Sequence, residues 1–150
     1  MNKYTGFTLI EVLIAMLVLG VGLLGLAGLQ ATGLRNSQSA YNRSQATELA
    51  YDLADKMRAN VAGVATYTTI LPGAATAQAD CLTVSTACTT GVMAQNDLYE
   101  WNLAVTTALP SGVGTITVAA GVYTITISWD DNRDGAVDAN DPNFQTRFQL

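Results

Sequence analysis

Between Val12 and Leu29 the chain carries no charged residue, and a single acid, Glu11, stands at the head of that run behind Gly6-Phe7-Thr8-Leu9-Ile10. The run is long enough to cross a bilayer as a helix. An ionised side chain at membrane depth costs roughly 2.5–3.5 kcal/mol on insertion scales, so an acid kept there implies a use for it. A secretory signal peptide is the competing explanation. It would have a shorter apolar core followed by a small-residue cleavage site, and only Ala27-Gly28-Leu29-Gln30-Ala31 offers one, after a run too long for the part.

The order Gly6-Phe7-Thr8-Leu9-Ile10-Glu11, behind a short leader containing Lys3, resembles the class III signal of type IV pilins and the related pseudopilins. The resemblance implies that residues 1–6 are a leader, that a membrane-embedded prepilin peptidase cuts between Gly6 and Phe7, and that Phe7 is then N-methylated. Glu11 becomes the acid at the fifth mature position. A buried carboxylate is tolerated when a cation reaches it. The new amine of Phe7 is tied to Glu11 by their shared backbone, whereas a neighbouring subunit can bring its own amine, so Glu11 reads as a register pin for assembly. The plainer reading is an acid favoured by the dipole at a helix N-terminus.

The resemblance extends through the Gly-rich continuation Val18 to Leu26, through Ala50 to Asn60, and to Leu98-Tyr99-Glu100-Trp101 ahead of Leu109-Pro110. It lies nearest the minor pilins. It implies as partners the prepilin peptidase, other minor pilins, the major pilin and a tip adhesin, and as location the inner membrane with a periplasmic head before assembly, then the filament near its tip. A pseudopilin of a type II secretion system shares the same signal. A calcium-dependent adhesive tip module is a third reading, from a different class.

With 150 residues, the chain has room for one membrane helix and one compact domain. We expect a filament-core helix over 7–29 and a head over 30–150 that includes the amphipathic half of the same helix. The formal net charge is −5, one unit more negative once Lys3 leaves with the leader. That balance opposes a nucleic-acid groove, which needs clustered Lys and Arg. There is no His, which removes the usual general base and the commonest zinc ligand. With no nucleophile motif either, the chain is expected to be no enzyme but the substrate of one.

Past the membrane run, Ala46, Leu49, Ala50, Leu53, Met57 and Val61 recur at helical spacing, so one helix is expected from Phe7 to about Asn60. At 1.5 Å per residue it would reach roughly 80 Å, too long for a small domain alone. Gly20, Gly22, Gly25, Gly28 and Gly33 weaken its first half, each by up to about 1 kcal/mol relative to Ala. They suit either local unwinding, as the resemblance implies, or close helix packing in lipid. Residues 63–90 read as loop with a short strand at Thr66–Leu71. Ala94, Leu98, Trp101, Val105 and Ala108 mark a second amphipathic helix over Met93–Leu109, ended by Pro110-Ser111-Gly112.

The C-terminal third alternates with period two. Ile116, Val118 and Ala120, then Tyr123, Ile125, Ile127 and Trp129, form the apolar side of a hairpin, and Phe144, Thr146, Phe148 and Leu150 supply a third strand. Three strands with one apolar face need a cover, which the stripe of the long helix provides. The expected fold class is therefore α+β and type IV pilin-like: a long N-terminal helix, half membrane-embedded and half amphipathic, packed on a small antiparallel sheet.

Two further features carry chemistry. Cys81 and Cys88 lie in a polar Thr/Ser/Ala-rich stretch, and in an oxidising compartment they would join in a disulfide; two free thiols are the alternative. Asp130 to Asp141 matches the calcium-loop pattern, with oxygen donors at Asp130, Asn132, Asp134 and Asp138, the Ala136 carbonyl, and a turn at Gly135. Asp141 stands where a longer Glu is usual, and strands flank the loop instead of helices. A solvated, self-repelling turn is the other reading. Calcium is the only cofactor the sequence suggests.

Overall fold

The computed structural model describes residues 6–82 and 88–150. Two compact units divide the chain, Met1–Ser39 and Ala40–Leu150.

Helix α1 runs Leu9–Ala59. Thr8 starts it: its hydroxyl accepts the N–H of Glu11 at 3.3 Å, and its carbonyl accepts that N–H and the one of Val12. This is an N-cap with an acid three residues on, where the helix dipole favours negative charge. Lys56 and Arg58 occupy the last turn, where the dipole favours cations. In the first unit no residue from Phe7 to Gln38 is buried. A Cβ added to Gly20, Gly22, Gly25, Gly28 or Gly33 would meet nothing within 4 Å, so nothing in the folded chain requires those glycines.

The second unit is α+β, with the later part of α1 packed on a three-stranded antiparallel sheet. Asn42, Ala46, Ala50, Leu53, Ala54 and Met57 form the buried stripe of α1. Val61 falls outside it and is exposed, because α1 ends at Ala59 and the chain tightens into a 3-10 turn over Val61–Gly63.

A short helix, α2, spans Val64–Thr69, where a strand over Thr66–Leu71 was expected. Val64, Tyr67 and Ile70 lie three residues apart and all pack on or in the core, which is a helical face. The hydroxyls of Thr68 and Thr69 both bond back to the Ala65 carbonyl at 3.0 Å. Further 3-10 turns follow at Pro72–Ala74 and Ala79–Leu82. Gly63 permits the tight passage into α2, since an added Cβ would strike the Thr90 carbonyl and the Asn60 side chain.

Helix α3 spans Thr90–Ala108, with Thr89 as N-cap accepting from Val92 N–H. It starts three residues before the expected point because that cap, and not the first apolar residue, sets its origin. Ala94, Leu98, Trp101 and Val105 are buried as their spacing requires, while Leu109 closes the core in place of the exposed Ala108.

Strands β1 (Val113–Ala119), β2 (Val122–Ser128) and β3 (Asn143–Phe148) lie in the order β1-β2-β3. The first pair closes at Ala119↔Val122. Ala120 and Gly121 make its turn, with φ of 50° and 76°, so Ala120 leaves the apolar face on which alternation placed it. Two residues with positive φ are the geometry of a tight hairpin. Ile125 and Ile127 are fully buried, but Val118 is 46% exposed near the hairpin tip. Leu150 lies past the end of β3 and is 42% exposed. Trp101, Trp129, Tyr67, Leu53 and Met57 are the largest fully buried side chains.

Cys81 and Cys88 form a disulfide. It closes a short loop, so breaking it by reduction, or by C81S together with C88S, should destabilise the folded head by about 2–3 kcal/mol. Thermal melting of full-length protein in detergent with and without reductant measures this, and an unchanged transition would refute it.

Candidate functional site

The N-terminal features fall together at the entry to α1. Gly6 and Phe7 precede the helix outside any regular element, with Phe7 84% exposed. Glu11 sits in the first helical turn. Phe7, Glu11, Val12, Ala15, Met16 and Leu19 line one side of this end of α1. Both residues of the Gly6-Phe7 peptide are thus exposed, and the acid lies one turn beyond it among apolar side chains. Residues 1–5, where most of a leader was expected, lie outside the described residues. Helix α1 is long and apolar enough to cross a membrane.

The head holds two polar clusters. In the first, buried Tyr67 donates to Asp97 of α3. Burial, and then that hydrogen bond, push the Tyr67 phenol well above its usual range. Asn60 donates to the Thr90 carbonyl at 2.8 Å, and Lys56 pairs with Asp52 at 3.3 Å and with Glu100 of α3 at 3.8 Å. These contacts fasten the end of α1 to α2 and α3.

The second cluster is the acidic loop between β2 and β3. Asp130 is 3% exposed. Its two oxygens accept the N–H groups of Asp134 at 3.1 Å and Gly135 at 2.9 Å. Asn132 accepts from Asp134, Asp134 from Ala136, and Asp138 from Asn140. Asp141 receives Asp131 N–H on one oxygen and Asp138 N–H on the other, both at 3.0 Å. Gly135, at φ 101°, makes the sharp turn. The donor set is all oxygen, which suits a hard cation such as calcium. In the arrangement described here those oxygens face backbone N–H groups, and among the described residues no three acidic, His or Cys side chains gather into a group able to hold a metal ion.

Three residues important to this architecture escaped the sequence reading. Thr8 had a signal, since Thr8-x-x-Glu11 is a capping pattern. Asn42 had another, because extending the α1 stripe back four residues from Ala46 lands on it. Asp131 had none: it occupies a non-ligand position of the calcium pattern, yet its carboxylate accepts from Trp129 Nε1 at 2.9 Å and from Asn42 Nδ2 at 3.2 Å.

Comparison with known families agrees with this layout. Residues 1–27 match the prokaryotic N-terminal methylation motif, and residues 28–99 match the Tt1218-like family, described as type IV pilin Tt1218. No curated protein and no solved structure matches the chain. Over residues 1–99 the chain is accordingly similar to type IV pilins carrying a prepilin N-methylation motif, which supports a pilus or pseudopilus component. The motif implies processing by prepilin peptidase and pilin assembly, and the apolar helix behind it implies membrane anchoring and incorporation into pili. Pilins are structural proteins, not enzymes.

Proposed function

We propose that this chain is a minor pilin similar to PilV that helps to prime type IV pilus assembly and so supports twitching motility and adhesion. In this account prepilin peptidase removes residues 1–6, Phe7 is N-methylated, residues 7–29 anchor the chain and later enter the filament core, and residues 30–150 form the periplasmic head. Glu11 receives the amine of a neighbouring subunit. Other minor pilins and the major pilin are its partners, a tip adhesin is its neighbour, and its place is at or near the tip. The head serves as a building block and catalyses nothing.

The observation that carries this reading is the entry to α1, an exposed Gly6-Phe7 followed at once by a Thr8 cap, Glu11 and an unburied apolar helix. The resemblance of the first sixty residues to minor pilins supports the finer assignment. Deleting the gene and scoring surface pili, twitching and secreted protein tests it. Lost pili and twitching with secretion intact is expected. Lost secretion with pili intact would make the chain a type II pseudopilin instead.

Calcium at Asp130, Asn132, Asp134, Asp138, Asp141 and the Ala136 carbonyl is a separate proposal, supported by the all-oxygen donor set and the Gly135 turn. Binding would require those oxygens to exchange backbone N–H groups for the cation. Millimolar calcium added to chelated full-length protein should raise its melting temperature by several degrees, as expected of a ligand well above its Kd. No rise, together with no heat of binding, would reject it.

A further inference from the structure

We infer that the loop between β2 and β3 is a clamp that sets how far along α1 the helix can open from its N-terminal end, with Asp131 as the gripping residue. The first fully buried position of α1 is Asn42, at 2% exposure. Before it, no residue from Phe7 to Gln38 is buried, and five glycines lie in that stretch with no neighbour for a Cβ. Wherever it lies outside lipid, helical backbone of that kind is held by its own hydrogen bonds alone and opens at low cost, whereas backbone beneath a packed core opens only with the core.

The join between those regimes is a polar contact. Asp131 Oδ1 accepts from Asn42 Nδ2 at 3.2 Å and from Trp129 Nε1 at 2.9 Å, across 89 residues of sequence in the first case. Trp129 is fully buried at the base of the loop, and the neighbouring Asp130 N–H is held by the Pro110 carbonyl at 2.9 Å. On the other side, Asp131 N–H donates to Asp141 Oδ1, and Asp141 Oδ2 accepts from Asp138 N–H. The acceptor for Asn42 is therefore positioned by both ends of the loop. Withdrawing it leaves a buried amide and a buried indole N–H without that partner, a cost that falls on α1 as well as on the loop. Two turns further along the helix, Trp101 Nε1 donates to the Leu49 carbonyl at 2.8 Å. This second hold confines the effect of the clamp to the segment between Asn42 and Leu49.

Hydrogen exchange on the full-length chain in detergent micelles tests the inference. In D131A, amides of residues 43–49 should exchange about tenfold faster, with those of residues 95–105 in α3 and of β2 unchanged. N42A keeps the Trp129–Asp131 bond and should accelerate the same segment. The double variant should add little to either single one. Unchanged exchange over 43–49 in N42A, or a rise spread equally through α3 and β2, would overturn the clamp. N42A decides the matter should D131A fail to fold.

Discussion

Replacing Glu11 by Val is expected to leave the chain membrane-bound and cleaved, yet to cut its incorporation into filaments at least about tenfold. In the lipid phase the substitution removes a carboxylate whose burial costs roughly 2.5–3.5 kcal/mol at the bilayer centre, so insertion should improve. Processing should persist, because the Gly6-Phe7 peptide lies ahead of the Thr8 cap, outside the helix, and makes no contact with Glu11 that the cut would need. Assembly should fail because a neighbour's amine would then enter an apolar interior with no counter-charge, and an unpaired buried charge costs several kcal/mol. E11D, which retains the charge on a shorter arm, should assemble partially. Immunoblots of sheared surface material against membrane fractions read the ratio. Normal incorporation of the Val variant would reduce Glu11 to the plainer role of a helix-start acid.

The largest expected loss of stability comes from G114V. Gly114 is buried in β1, and an added Cβ would run into the six-membered ring of Trp101. That indole is 1% exposed and donates to Leu49 of α1, so it has no room to retreat without breaking the α1–α3 join. Overpacking of this kind costs about 1–3 kcal/mol, and losing the buried hydrogen bond adds about 1 more. For a domain of this size that lowers the melting temperature by roughly 8–16 degrees. G73A is the matched control, since a Cβ there meets nothing within 4 Å, and it should melt near the wild type. Equal melting of G114V and G73A would contradict the packing described.

The regular elements were legible where one periodicity ran unopposed. The α1 stripe from Ala46 to Met57, the α3 series from Ala94 to Val105 and the three alternating strands could be read directly, because each buries one continuous face. Elements whose limits depend on a single polar group or a turn could not. Thr89 capping moved the start of α3, the positive-φ pair Ala120-Gly121 removed one residue from β1, and Thr66–Thr69 of the expected strand became helix because Val64, Tyr67 and Ile70 share a face. At the N-terminus the proposed chemistry is local in sequence, so Gly6, Phe7 and Glu11 can be named in order without the fold. In the loop, the residue that joins it to α1 is Asp131, and its partners Asn42 and Trp129 meet it only in the folded chain.

The account rests on cleavage and methylation at the head of α1. N-terminal sequencing and intact-mass measurement of the full chain, produced in cells with and without prepilin peptidase, examine that directly. The account predicts a chain beginning at methylated Phe7 when the peptidase is present and the uncut leader when it is absent. A chain beginning at Met1 in both, or one trimmed near Ala31 in both, would contradict it.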